Sequence, residues 1–312
     1  MNAIKNDRAA DENHAAVASI ISLQRPLGVS RDDFDAYWSD VHAPIMARMP
    51  GIWGYSLHHL EAVQLPYWHL PQSIERIAAD HHTWDGFAEL LYESPQAAAE
   101  AYRLSDAPGG YTHEDAQSAF WVGLFYQSNG GSRTIHDTSE GADLRDTVYL
   151  ALRYQTAIER EHGHDLTREL ADRAVRAGAS RVRYHLFHVF DNDALDPGLP
   201  VGMRHDVLDG EAVDAVIEIG ANHRTSVSRI ADALSLTAAD DATLSGAYAY
   251  RRRQRNDMVI AGTITEAGIR TPHVSRLIER LGAVSQSHPN LSDLMLTARV
   301  QEPITADFRD GF

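Results

Sequence analysis

Apolar residues fall into two patterns along this chain, short runs and stretches spaced at helical intervals, and the two alternate in a fixed order. Positions 16–23 predict a strand, 32–49 an amphipathic helix, 53–60 and 84–92 two strands, 95–103 a helix and 119–126 a strand. That order is βαββαβ. Ser30, ahead of Asp32 and Asp33, predicts the N-cap of the first helix, and Pro50-Gly51 its stop. Pro95 suits the first turn of the second helix, where its missing N–H costs nothing. The order then recurs, with 148–154, 166–177, 182–190, 213–219, 225–234 and 247–253 predicting the same six elements.

The recurrence extends to single residues. Sliding the chain by 129 positions lays Tyr55, Leu57 and His59 on Tyr184, Leu186 and His188, and Leu70-Pro71 on Leu199-Pro200. The same shift lays Asp80, Asp85 and Glu89 on Asp209, Asp214 and Glu218. From 55 to 89 there are eight identities in 35 positions, where ordinary composition gives roughly two or three. A tandem duplication follows. The expected organisation is a flexible tail at 1–14, a first repeat at 15–128 and a linker at 129–146 rich in Gly, Ser, Asp and Thr. A second repeat at 147–268 and a C-terminal helical extension at 269–312 complete it. A βαββαβ unit is a ferredoxin-like antiparallel sheet with helices on one face, so its bare face must be covered. The expected fold class is therefore α+β, two tandem ferredoxin-like units packed sheet to sheet around a cavity.

Composition narrows the function classes. At 312 residues and 44% hydrophobic content the chain can bury a substantial core. Its formal charge of -16, from 44 acidic and 28 basic residues, argues against nucleic acid or an anionic membrane as partner. The run Arg251-Arg252-Arg253-Gln254-Arg255 reads as a solvated strand end or an ion-pair site. There is no cysteine, which removes disulfides, thiolate metal sites and Cys nucleophiles. The N-terminus is polar and no apolar run approaches a membrane span, so the expected setting is soluble and cytoplasmic.

The helix pattern F-x-x-Y-W-x-x-x-H-A-P (Phe34, Tyr37, Trp38, His42, Ala43, Pro44), the M-P-G that follows (Met49, Pro50, Gly51), Tyr55, and W-D-G-x-A-E-L from Trp84 to Leu90 resemble the EthD family of dimeric α+β barrel proteins. The second half shares only the strand residues already named. The resemblance implies a half-barrel that ordinarily dimerises, replaced here by an intrachain pseudo-dimeric α+β barrel; a further homodimer is left open. Related barrels include the cofactor-independent muconolactone methylisomerase, aromatic polyketide cyclases and fungal dehydratases, which perform acid–base chemistry on hydrophobic ring substrates. In the methylisomerase a helix His before M-P-G and a strand Tyr after it contribute to the active site, positions matched here by His42 and Tyr55. A further His and a Cys of that enzyme fall at Gln64 and near Leu90, which argues against the same reaction.

The residues themselves point the same way. Histidine exchanges protons near neutrality, and a tyrosine can donate to a developing oxyanion. Strand alternation puts Trp53, Tyr55, Leu57 and His59 on one face and His58 on the other. His59 is preferred for the cavity because its pattern recurs as Tyr184, Leu186 and His188. The candidate catalytic groups are thus His42, Tyr55 and His59. The candidate substrate-binding groups are Tyr37, Trp38, Trp53, Trp84, His82, Glu89, Tyr184 and His188. All five tryptophans lie in the first half, and the offset sets Ala171 opposite His42, so the first half is expected to keep the chemistry. A competing reading stands beside each choice. A helix-end His, a hydrogen-bonded Tyr and an aromatic cluster are also ordinary core, and the paired acids Asp85/Asp214 and Glu89/Glu218 also suit structural hydrogen bonding.

The 17 histidines lack any compact ligand spacing such as H-E-x-x-H, so neither metal nor other cofactor is expected. G-x-S-x-G, G-x-x-x-x-G-K-[ST] and G-x-G-x-x-G are missing too. The expected function is a cofactor-independent lyase, dehydratase or isomerase acting on a hydrophobic, aromatic or polycyclic small molecule. A noncatalytic small-molecule-binding or pathway-accessory protein is the alternative, and a haem- or metal-dependent barrel enzyme the third reading.

Overall fold

In chain order the computed structural model contains α1 (Arg8–His14), β1 (Val17–Gln24), α2 (Arg31–Tyr37), a π-helical turn (Trp38–His42), α3 (Ala43–Met46), β2 (Ile52–Ala62), β3 (Gly86–Tyr92), α4 (Pro95–Asp106), β4 (Val122–Asn129) and β5 (Ser132–Asp137). There follow β6 (Asp146–Tyr154), α5 (Arg160–Arg176), β7 (Arg181–Leu186), β8 (Ala215–Ala221), α6 (Arg224–Ala233), β9 (Leu244–Ile260), β10 (Thr263–Ile264) and α7 (Glu266–Ile269). The described residues are 8–65, 68–76, 83–106, 115–116, 120, 122–139, 144, 146–155, 160–188, 212–222, 224–236, 243–269, 273–274, 276 and 280. Ser30 caps α2, its hydroxyl accepting the Asp33 N–H at 3.1 Å, and Asp32 and Asp33 occupy the first turn.

The sheet is antiparallel throughout, in the order β4-β1-β3-β2-β9-β6-β8-β7-β5, with β10 a short hairpin on β9. The blocks β4-β1-β3-β2 and β9-β6-β8-β7 are the same ferredoxin-like arrangement, so the α+β duplicated fold is realised. The long β9 joins them on one side, pairing with β6 through its first half and with β2 through its second. On the other side β4 continues through Gly130, at φ +72, into β5, which pairs with β7. A bridge between Gln127 and His188 closes the ring.

Side chains alternate across this curled sheet. Ile20, Leu60, Trp84, Phe87, Tyr126, Tyr149, Tyr248 and Tyr250 fill one half of the interior. Outside, Tyr55, Leu57, Leu90 and Tyr92 pack beneath Phe34 and Trp38, and Val148, Leu150, Ile217 and Ala249 pack with Leu166, Leu170 and Ile230.

A part-buried ion pair is built twice. Arg31 meets Asp85 Oδ1 at 2.7 Å, while Asp85 Oδ2 accepts the Arg25 N–H at 3.0 Å. Arg160 meets Asp214 Oδ1 at 2.7 Å, while Asp214 Oδ2 accepts the Tyr154 N–H at 2.7 Å. All six residues obey the 129-residue offset, and the paired aspartates are structural hydrogen-bond partners.

Three expectations need correction. The equivalence of Tyr55 with Tyr184 does not hold. Leu60 donates its N–H to Asp85 O, and its counterpart donating to Asp214 O is Phe187, 127 positions on rather than 129. Tyr55 therefore corresponds to Val182 and His59 to Leu186. A two-residue slip leaves every side chain on its own face, so the hydrophobic pattern cannot detect it. Second, the 1–14 segment is not merely a tail, because α1 carries Glu12, 6% exposed, into the end of the barrel. Third, the 129–146 stretch is not merely a linker, since it holds β5. Most of the 269–312 extension lies outside the described residues. Among the described residues no helix is long and apolar enough to cross a membrane.

Candidate functional site

The helix pattern from Phe34 to Pro44 cannot run as one regular α-helix. Pro44 has no N–H, and its ring would clash with the carbonyl four residues earlier, that of Asp40. The chain widens instead into the π-turn, where the Ala43 N–H reaches back five residues to Trp38 O. One inserted residue rotates everything beyond it by about 100° around the helix axis. His42 stands at the end of that turn, 8% exposed.

His42 Nδ1 lies 2.8 Å from Asp115 Oδ2, and the Tyr37 hydroxyl donates to Asp115 Oδ1 at 2.5 Å. The proton on Nδ1 points to the carboxylate, which leaves the Nε2 lone pair for other work. Phe120 meets the imidazole edge-on at 5.1 Å and is itself edge-on to Trp38 and Phe34. Hydrogen bonds from His42 and Tyr37 hold the Asp115 carboxyl below its ordinary value against the opposing effect of burial. The bond to Asp115, with burial, pushes the Tyr37 hydroxyl up to about 12. The result is a carboxylate-supported imidazole on an aromatic wall. Asp115 escaped sequence reasoning because no periodic pattern surrounds it.

The other candidates divide between two sides of the sheet. Tyr55 shares the helix side with His42 but is 1% exposed, its hydroxyl against the Trp38 indole and its pKa driven well up by burial. His59, also on this side, has no exposed surface. Its Nδ1 lies 2.8 Å from Asp35 and its Nε2 3.1 Å from the Ser39 hydroxyl, so both ring nitrogens are engaged. The Trp38 ring packs tilted against His59, with centroids 4.6 Å apart. His58, set aside in the sequence reading, is the one that faces the barrel interior, its Nδ1 sharing a hydrogen bond with the Tyr149 hydroxyl at 2.6 Å.

Trp84 and Glu89 also point inward, away from His42. Trp84 stacks on Tyr250 at 5.4 Å. Trp53 sits at the α1 end of the barrel and donates to Asp11 O at 2.9 Å. Tyr184 packs on the outer side of the second repeat, and His188 is an exposed bridging residue next to β4. His82 lies outside the described residues. The structure thus brings Tyr37, Trp38 and His42 together with Asp115 and leaves Trp53, Trp84, Glu89, Tyr184 and His188 elsewhere.

Among the described residues the barrel interior is occupied by side chains. One half of the interior is aromatic and the other is charged. Arg181, Arg183 and Arg255 face Glu12, Glu89 and Glu218, with none of these six side chains more than 5% exposed. Arg181 binds Glu12 at 2.6 Å and Glu218 at 3.0 Å, and Arg183 pairs with Glu89. Burial alone would raise the Glu12 carboxyl, yet Arg183, Arg181 and Arg8 hold it at about 2. Burial, reinforced by Arg183, lowers His185 to about 4. A cavity of about 30 Å³ beside Glu89 and Arg255, lined also by Arg8, Glu12 and Ser56, has space for about two waters. The interior holds the two repeats together and is too small there for an aromatic ring. Among the described residues no group of three or more His, Asp or Glu side chains is arranged to hold a metal ion.

Residues 26–106 match the EthD domain. No curated protein sequence matches this chain significantly. Solved structures with a similar chain path include an anthrone oxidase-like protein, 10% identical with a TM-score of 0.42, over 79% of this chain and 94% of that one. A protein designated a monooxygenase from Lactobacillus acidophilus NCFM is 8% identical with a TM-score of 0.42, over 77% and 94%. Chlorite dismutase from Candidatus Nitrospira defluvii in complex with imidazole is 11% identical with a TM-score of 0.36, over 77% and 92%. Similarity at this level does not transmit an activity.

Proposed function

We propose that the EthD domain at 26–106 is the reactive half of an acid–base enzyme, a lyase, dehydratase or isomerase that works on a hydrophobic aromatic or polycyclic small molecule with its own side chains. The observation that carries this reading is the Tyr37–Asp115–His42 arrangement at the π-turn, walled by Phe34, Trp38 and Phe120. With Nδ1–H directed at Asp115, His42 Nε2 removes a proton from an activated carbon or hydroxyl of the substrate, and the carboxylate stabilises the imidazolium that forms. Tyr37, held protonated by its raised pKa, keeps the other carboxylate oxygen in place. The imidazolium then returns the proton, to a departing hydroxyl in a dehydration or to a second carbon in an isomerisation.

The test is a mass-spectrometric screen of hydroxylated and lactone-bearing aromatic compounds for loss of water or isomerisation, followed by substitution. His42→Gln should lower turnover by about 10²-fold or more with the melting temperature nearly unchanged. Asp115→Asn should lower kcat more than it raises KM. Undiminished turnover by a folded His42→Gln protein would remove His42 from the chemistry. Retention of one aromatic ligand by both proteins, with turnover by neither, would favour a noncatalytic binding protein.

A further inference from the structure

We infer that His59 is a positioning residue, which clamps the π-turn and thereby sets the direction of His42. This rests on the reading of His42 as the proton-transfer group. His59 sits on β2, opposite the junction of α2 and the π-turn, and its hydrogen bonds run to both sides of that junction. Asn256 Nδ2 donates to Ser39 Oγ at 3.0 Å, and the same hydroxyl lies 3.1 Å from His59 Nε2. His59 Nδ1–H then donates to Asp35 at 2.8 Å, whose second oxygen is held by Arg253. The chain Asn256, Ser39, His59, Asp35, Arg253 ties β2 and β9 to both sides of the junction through consecutive hydrogen bonds.

Asp35 is in the last turn of α2 and Ser39 is inside the π-turn. A wide turn has poorer backbone geometry than an α-helix and persists where something outside the helix secures it. Trp38 supplies a second brace between them, its ring tilted against that of His59 on one side. On the other it lies so close to Gly86 that a Cβ there would be 2.5 Å from the indole. Reversion to a regular helix would turn His42 by about 100°, away from Asp115.

The second repeat supplies an internal control. Its helix α5 runs from Arg160 to Arg176 as an uninterrupted α-helix. There Asp35 is replaced by His164, and because α5 lacks the inserted residue His42 falls against Leu170 or Ala171, while the register on β7 puts Leu186 where His59 stands. The clamp, the π-turn and the imidazole are absent together. A histidine needed only to fill the helix–sheet interface would have no reason to share the fate of His42.

The experiment uses the full chain labelled with 15N-histidine, with no ligand added, and follows the His42 imidazole by NMR; His42→Gln identifies its signals. In wild type the Nδ1 proton shared with Asp115 should appear as a slowly exchanging downfield resonance. His59→Leu removes both clamp bonds, and the milder Ser39→Ala and His59→Asn variants remove part of them. The downfield resonance should be lost in His59→Leu and broadened in the milder pair, while backbone amide signals of the second repeat stay in place. Once a substrate is known, kcat should fall about tenfold or more with KM changing less than threefold. An unshifted His42 signal in folded His59→Leu, Ser39→Ala and His59→Asn proteins would overturn the clamp without touching the role of His42. A His42→Gln protein of full activity would overturn that role without touching the clamp.

Discussion

Glu12 neutralises a buried excess of positive charge, and replacing it with Gln isolates that role. Its carboxylate accepts from Arg181 Nη2 at 2.6 Å, Thr134 Oγ1 at 2.6 Å and Arg8 Nε at 2.9 Å. It also stands 3.5 Å from Arg183 and 3.7 Å from Arg255. The six most deeply buried charges in this half of the barrel are three arginines and three glutamates, so an uncharged amide at position 12 leaves one arginine unbalanced in a medium that solvates it poorly. Breaking a buried pair from one side costs about 3–5 kcal/mol, a large part of the roughly 5–15 kcal/mol that holds a domain folded. Urea denaturation at pH 7 should show that loss in Glu12→Gln. Hydrogen exchange at Thr134, whose N–H is held by Asn13 at 2.9 Å, should accelerate as α1 loosens. The pH dependence has a defined sign. Glu12 is near 2 in the folded protein against 4.5 in the unfolded chain, so its contribution is complete above about 4.5 and disappears as pH falls towards 2. Wild type and Glu12→Gln should therefore converge in acid. A loss below about 1 kcal/mol at pH 7, within the range of an exposed pair, with Thr134 still protected, would refute the argument.

His185 should give a separate pH signature. Its folded value near 4 lies below the 6.5 of the unfolded chain, so stability should fall by about 3 kcal/mol between pH 6.5 and 4, and His185→Phe should flatten that window while leaving the more acidic Glu12 window intact. Gly86→Ala would set a Cβ 2.7 Å from the His58 carbonyl oxygen and 2.5 Å from Trp38; a loss of about 1–3 kcal/mol by thermal denaturation is expected, with the His42 resonance displaced because Trp38 must move.

The elements were legible in the sequence because their signals are local. Ser30, Pro50-Gly51 and Pro95 mark boundaries that depend on a few adjacent residues, and the alternation in β2 and β3 reports which side chains share a face. The duplication was legible too, since Asp85/Asp214 and Glu89/Glu218 kept both their identities and their spacing. The motif from Phe34 to Pro44 pointed to His42 in the same way.

Local signals could not say what each face meets. The two sides of β2 are both buried, one under Trp38 and one in the barrel, so alternation separated His58 from His59 without saying which faced the interior. The two-residue slip between β2 and β7 keeps every face and could be seen only from the bonds at Leu60 and Phe187. Glu12, in a polar N-terminal segment, and Asp115, in a stretch without periodicity, are each joined to their partners across long separations, 169 residues for Glu12 and Arg181 and 73 for Asp115 and His42. Local patterning thus determined the strands, the helices and the doubled plan of this chain. Only the closed tertiary structure decided which charges are paired, which histidine is locked and which stands beside a carboxylate, because those depend on approach in space between residues that no periodicity connects.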